Sequence, residues 1–393
     1  MSDLARPDRW ASRFGLIMAM AGNAVGLGNF LRFPGQAAPF GGAFMVPYFI
    51  SLLLMGIPLM WIEWTIGRHG GYYGHGSTPG MFHRLWKHPL SKYLGIFGVL
   101  LPAMIGIYYV YIESWALGYA FKSIVGDYWG QTTREEMGAV FGEYLGIDGS
   151  TFAFGVEAYT FFLITLLVNM LVFARGISKG IEVLAKYAMP TLLVLGVILA
   201  VRVLTLPKSE NGSISDGLAM IWVIDWSILK EADVWIAAAG QVFFTLSLGF
   251  GMIHTYASYL SRNDDITLNG LATVGTNELV EVILGSTIVL PAAVIFFGIT
   301  QARDIVVDGG TFNIAFQTFP VIFQQMPFGQ FFGFLWFFLL FVAGLTSSVT
   351  MFTPMLAFLE DELRVPHRKA IILICVSVFL FMQPIILFMH MDV

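Results

Sequence analysis

The chain has 393 residues, 57% of them hydrophobic and only 12% charged, with a formal net charge of −5 and a mean hydropathy of +0.74. A soluble domain carries about a quarter charged residues, so the composition excludes a soluble globular protein and implies a polytopic membrane protein; the absence of a basic tract argues against a nucleic-acid partner. The single cysteine, Cys375, rules out an internal disulfide and reads as a small core residue.

The N-terminus is polar through Arg9, and the first apolar run is far longer than a secretory signal's core, so the first transmembrane helix is expected to direct insertion. A span needs about 20 apolar residues. Nine stretches qualify, at 12–37, 42–68, 91–124, 154–174, 182–206, 233–259, 267–298, 329–359 and 370–389, numbered here spans 1 to 9. Polar connections are expected at 125–153 and 207–232, and an amphipathic one with short helices at 299–328. The runs "HGGYYGHG" (His69–Gly76) and "GSTPG" (Gly76–Gly80) read as glycine loops. They lack the lysine of a phosphate-binding loop, and His69, His75, His83 and His88 have the spacing of no closed metal site. No nucleophile–base pair stands out, so an enzyme is not expected. With the N-terminus in the cytoplasm, cytoplasmic segments hold 14 of the 21 Lys and Arg, and Arg32 lies inside a span. That bias puts the N-terminus on the cytoplasmic side of a multi-pass protein of the cell (inner or plasma) membrane.

Two spans share an oddity. Span 1 contains "GNAVGLGNFLRFP" (Gly22–Pro34) and span 6 contains "FTLSLGFG" (Phe244–Gly251). Each glycine weakens a helix interior by roughly 1 kcal/mol, and Asn23, Asn29 and Arg32 are costly in hydrocarbon. The two stretches lie near mid-membrane and five spans apart. Paired glycine-broken spans at corresponding positions of two halves point to a transporter's central site. A break frees carbonyls that suit a cation and N–H groups that suit an anion. A site with both ends fits a zwitterion and a metal cation.

The stretches "RFGLIMAMAGNAVGLGNFLRFP", "GIPLMWIEWTIGR", "YYVYIESW", "ARGISKGIE", "KYAMPTL", "GQVFFTLSLGFG", "TYASY", "NELVEV", "FLWFFLLFVAGLTSS" and "AFLEDEL" carry a resemblance across nearly the whole chain. It resembles the neurotransmitter:sodium symporter family, and within it the bacterial leucine-transporter-like (LeuT-like) amino-acid carriers. The resemblance implies an all-α inverted-repeat fold with broken helices 1 and 6. Its first five-helix repeat would be 1–206 and its second, incomplete repeat 207–393, spans 6 to 9, the fold being truncated after helix 9.

The resemblance also assigns residues. A first sodium site would use Ala24, Asn29, Thr245 and Asn277, and a second Gly22, Val25, Ala343, Thr346 and Ser347. All of these offer oxygen, as a hard cation requires. The substrate carboxylate would meet Leu27, Gly28 and Tyr109; its ammonium would meet Ala24, Phe244, Thr245 and Ser247. Asn23, Ile105, Phe250, Ser347 and Met351 complete the substrate pocket. Arg32 and Gln241 would form the outer gate; Trp10 and Asp361 match inner gate positions, while the family's gate arginine aligns to Pro7, leaving Arg6 or Arg9 as substitutes. Glu281 would stand in for the chloride of chloride-dependent members, with Tyr48, Gln241 and Thr245 as neighbours. Glu63 would hold freed backbone of span 1 or 6. Sodium, two ions, is the expected cofactor, with no chloride required. The implied function is sodium-coupled, chloride-independent symport of small to medium apolar L-amino acids such as alanine or leucine, by alternating access. The alternative is a truncated, non-transporting or binding-only membrane protein of the same family. The lipid bilayer is the surrounding partner, and the oligomeric state is left open, a homodimer among the options.

Overall fold

The structure, a computed structural model, describes residues 9–147, 155–307 and 310–388. The described secondary structure is helical throughout. Seven continuous helical stretches are long and apolar enough to cross a membrane: Gly41–Tyr72, Pro89–Val125, Val156–Phe173, Ile177–Leu204, Ile266–Phe297, Gly329–Asp361 and His367–Phe388. They correspond to spans 2 to 5 and 7 to 9. Spans 1 and 6 are the interrupted pair. Span 1 runs as Arg13–Ala24, Leu27–Phe30 and Arg32–Ala37. Span 6 runs as Ala232–Thr245 and Met252–Ala257.

Burial separates the centre from the rim. The most apolar stretch of span 8 is 83% buried and that of span 7 78%, against 28% for span 9. A helix apolar on all sides and buried on all sides belongs to the interior, so spans 7 and 8 form the core and span 9 lies at the periphery. Span 8 packs along span 3, and span 5 packs against both span 1 and span 8. The start of span 1 is anchored by span 5. The Ser12 hydroxyl caps the helix by accepting from Gly15 N–H (3.0 Å) and donates to Glu182 Oε1 (2.9 Å), while Ala11 N–H donates to Glu182 Oε2 (2.6 Å). Lys186 Nζ, 2.8 Å from Glu182, balances that buried carboxylate.

The connections hold more helix than hydropathy reveals. The stretch at 125–153 contains Arg134–Leu145, started by a capping box of Thr133 and Glu136, and the one at 207–232 contains Ile214–Trp222, started by Ser213 and Asp216. Both are too short to span. The supposed glycine loops are mostly helix as well: span 2 continues to Tyr72, and Thr78–Leu85 is helical with Pro79 in its first turn, where a missing N–H costs nothing. The 299–328 connection holds short helices as expected, including Ile299–Val307 and Phe319–Gln324. Span 5 begins earlier than its apolar run suggests, through a wide π turn at Ile177–Ile181.

Candidate functional site

The break in span 1 is short. Val25 is extended, at φ −82° and ψ 112°, and Gly26 follows at φ −140° and ψ −163°. Gly26 N–H donates to Asn29 Oδ1 (2.8 Å) and Leu27 N–H donates to the Tyr109 hydroxyl (3.2 Å). The break in span 6 is longer, from Leu246 to Gly251, with positive φ at Ser247 (57°), Gly249 (82°) and Gly251 (82°). Gly249 N–H donates to Glu63 Oε1 at 2.7 Å, so the Glu63 carboxylate of span 2 holds the backbone of span 6. The two breaks touch through Ser247, whose hydroxyl donates to Asn23 O (3.2 Å).

Between them lies a mainly apolar cavity. Its lining includes Asn23, Ala24, Gly28, Asn29, Ile105, Tyr109, Phe244, Thr245, Ser247, Phe250, Ser347 and Met351. Of the expected substrate residues only Leu27 is absent from this lining, and its N–H reaches Tyr109, which is in it. The cavity is also lined by Gly26, Pro102, Tyr108 and Met252, which sequence reasoning passed over. Helical spacing could have found Pro102, one turn before Ile105 on the same face. Asn23 Oδ1 is buried and has no hydrogen-bond partner among the described residues, an acceptor left free at the cavity wall.

The residues assigned to the first sodium site cluster with Glu281. Asn29 Nδ2 donates to Asn277 Oδ1 (2.8 Å) and to Glu281 Oε2 (3.0 Å). Gln241 Nε2 donates to Glu281 Oε1 (2.6 Å), and the Thr245 hydroxyl donates to Glu281 Oε2. Glu281 is fully buried and sits in a wide π turn, Leu279–Gly285. Such turns recur at functional sites. Tyr48 lies beside the Glu281 carboxylate as expected, with its hydroxyl donating to the adjacent Glu278 Oε1 (3.1 Å).

The residues of the second sodium site also converge. The Ser347 hydroxyl lies 3.3 Å from Gly22 O and 3.2 Å from Val25 O, and the Thr346 hydroxyl 3.1 Å from Ala343 O. The Ser347 hydroxyl of span 8 thus faces span 1 carbonyls, while the Thr346 hydroxyl bonds its own helix. At the gates, Arg32 donates to Gln241 and lies 4.4 Å over the Phe244 ring. Trp10 donates to Tyr256 O (3.1 Å) and packs edge-on against that ring, while Asp361 accepts from Gly76 N–H (2.7 Å). Pro7 and Arg6 lie outside the described residues; Arg9 is exposed.

This geometry was compared with known proteins. A family model described as the sodium:neurotransmitter symporter family matches residues 7–139 and 141–392. An uncharacterised sodium-dependent transporter of Methanocaldococcus jannaschii is 32% identical over 96% of this chain and 74% of its own length. A similar transporter of Haemophilus influenzae is 31% identical over 94% and 78%. Among solved structures, MhsT in complex with L-phenylalanine superposes with a TM-score of 0.82 at 31% identity, over 98% of this chain and 81% of that one.

Proposed function

The chain belongs to the sodium:neurotransmitter symporter family, a family of sodium-dependent membrane transporters and not of enzymes, and on that premise we propose that it carries small to medium apolar L-amino acids, of the alanine or leucine kind, by sodium-coupled, chloride-independent symport. The observation that carries the reading is the cavity where the two breaks meet, whose lining combines hydroxyls and the backbone of both breaks with apolar side chains. The amino acid's charged ends fit the broken backbone, and its side chain fits between Ile105, Phe250 and Met351. An ionised side chain would find no partner there, and burying it unpaired is costly.

Two sodium ions fit the oxygen-rich clusters on either side. Binding at the second requires the Ser347 and Thr346 hydroxyls to turn their protons away from the Gly22, Val25 and Ala343 carbonyls. Binding at the first requires Asn29 to turn its amide oxygen from Gly26 N–H toward the ion. Glu281 supplies a fixed negative charge beside that site, which is the reason to expect no chloride requirement. Alternating access would work by parting Arg32 from Gln241 on one side and freeing Trp10 and Asp361 on the other. The N-terminus is assigned to the cytoplasm by the Lys and Arg bias.

The test is binding of radiolabelled alanine, leucine and phenylalanine to the purified chain in sodium chloride, sodium gluconate and potassium chloride. Saturable binding is expected in both sodium salts and not in potassium. Binding lost in gluconate would overturn chloride independence; binding in potassium would overturn sodium coupling. Phenylalanine, the ligand of the MhsT complex, belongs in the panel because a clear preference for it would overturn the smaller substrate class. Uptake into proteoliposomes then separates symport from binding alone.

A further inference from the structure

Glu63 has a second neighbour that the transport reading does not use. One carboxylate oxygen, Oε1, accepts from Gly249 N–H. The other, Oε2, lies 3.1 Å from His254 Nδ1. Both residues are buried, at 8% and 5% exposure. Oε2 and Nδ1 have no aligned hydrogen bond, to each other or to any other described residue. A buried carboxylate beside an imidazole, neither satisfied on the facing atoms, is a place for a proton: imidazole is the side chain that changes charge between about pH 5 and pH 8.

The position gives that proton leverage. His254 lies three residues beyond Gly251 on the second half of span 6. This half is pressed onto span 2: a Cβ at Gly67 would lie 2.2 Å from His254 O, and one at Gly71 2.1 Å from Ser258 O. Glu63 therefore bridges a fixed unit, span 2 with Met252–Ala257, and the unwound segment that carries Ser247 and Phe250 of the cavity.

We propose that the Glu63–His254 pair is a proton-binding site coupled to the substrate cavity, the protonated pair holding the Gly249 segment in its substrate-binding shape. With His254 cationic, Glu63 is neutralised in place and keeps both oxygens engaged. With His254 neutral, the buried carboxylate loses its counter-charge, and its hold on Gly249 competes with access to water. Substrate affinity then falls as the pair gives up its proton, and substrate binding draws in a proton by linkage.

The other charged groups on the elements packed around His254 are engaged elsewhere. Arg13 donates to Asn269 Oδ1 (3.0 Å), and on span 2 Arg68 donates to Asp264 O (3.0 Å) while His69 packs on Tyr73. On the helix that presents Phe82 to the imidazole, His83 lies 3.2 Å from Ser91 Oγ and Arg84 stacks on Tyr73. At the end of span 8, Glu360 pairs with His367, Asp361 accepts from Gly76 and Glu362 pairs with His75. Tyr256, on the same half-helix, bonds Thr350. Glu63 is the carboxylate that faces the imidazole.

The inference goes beyond the proposed function, and its test has one arm that needs no substrate. The first arm follows sodium-dependent leucine binding from about pH 5.5 to about pH 8.5. Wild-type affinity should fall on the order of five- to tenfold, within the usual range of coupling. His254→Gln, which keeps size and polarity, should flatten the profile. An unchanged slope in His254→Gln, or no slope in the wild type, overturns the proposal. The second arm is hydrogen exchange of the 246–251 segment of the wild-type chain in sodium without amino acid. After correction for intrinsic rates, protection should be higher at about pH 5.5 than at about pH 8.5; equal protection overturns the proposal. If leucine fails to bind at any pH but the exchange difference appears, the substrate reading falls and the proton site stands.

Discussion

The two broken helices meet in one cavity but are broken by opposite means. In span 1 the backbone is relaxed and the space is tight. Gly26 has φ −140°, a conformation open to any residue, yet an added Cβ would lie 2.8 Å from Ser347 Oγ and 3.0 Å from the Tyr109 hydroxyl. In span 6 the backbone is demanding: Gly249 and Gly251 sit at φ 82°, and even Ser247 is forced to φ 57°. Around Gly249 there is room, with nothing within 4 Å of an added Cβ. A glycine can thus be required for what surrounds it or for the dihedral it adopts. Span 1 uses the first reason, to bring Ser347 and Tyr109 against its backbone; span 6 uses mainly the second, to turn the chain and leave Gly249 N–H for Glu63.

Gly251 combines both demands, and its replacement should have the largest effect. A Cβ there would lie 2.2 Å from Gly98 O, a backbone atom of span 3, in addition to the positive φ. Gly251→Ala is expected to abolish a monodisperse folded peak in size-exclusion chromatography; a folded variant with ordinary thermal stability would show that span 3 yields easily and would break the contrast. Next is Gly26→Ala. It should leave folding intact and act on the site, pushing Ser347 from the Gly22 and Val25 carbonyls. Overpacking of this size costs about 1–3 kcal/mol, which corresponds to a loss of about 5- to 150-fold in affinity. Saturation binding in sodium measures it, with a melting curve as control. A melting temperature that drops while affinity stays would mean the tight space is structural. Gly249→Ala should do the reverse. Left-handed strain of about 1–2 kcal/mol should lower thermal stability by a few degrees with a smaller change in affinity, since no atom of the cavity is displaced.

Part of this contrast is legible in the residues themselves. Glycines at mid-span in two stretches five spans apart, joined by asparagines in the first, announce both breaks, and Phe244–Gly251 and Gly22–Pro34 bracket them closely. What each freed group meets is not legible locally. Glu63 is 186 residues from Gly249, and only the packing of span 2 on the second half of span 6 brings them together. Tyr48 was placed beside Glu281 by resemblance and lies there, but its bond to Glu278 and the wide turn at Leu279–Gly285 were not foreseen. Such a turn leaves no periodic mark in an all-apolar run, where every face looks alike. The helices at Arg134–Leu145 and Ile214–Trp222 are the converse case. Their caps, Thr133 with Glu136 and Ser213 with Asp216, stand three residues apart in the sequence as a helix start should, but a search for spans passes over elements this short.

Those caps also yield the smallest expected effect, which tests whether the breaks depend on anything outside the bundle. The helix Ile214–Trp222 lies mainly against span 7, where a Cβ at Gly217 would meet Pro291 Cα at 2.3 Å, and against the start of span 2. Its cap is electrostatically specific. Hydrogen bonds from the Ser213 hydroxyl and N–H hold the Asp216 carboxyl below the usual carboxylate range. A carboxyl depressed in the folded state stabilises the fold above its unfolded pKa and loses that contribution as pH falls through its folded value. Acidification should therefore loosen this helix, raising hydrogen exchange in 214–222, and Asp216→Ala should raise it at neutral pH and remove the further acid response there. Sodium-dependent binding at neutral pH should match the wild type in Asp216→Ala. The contrast between the two breaks rests on contacts inside the bundle: Ser347 and Tyr109 around Gly26, Glu63 and Gly98 around the span 6 glycines. Weakened binding in Asp216→Ala would mean that the connection between spans 5 and 6 sets the unwound segment from outside, and that the positive φ values are imposed by the loop rather than held by Glu63.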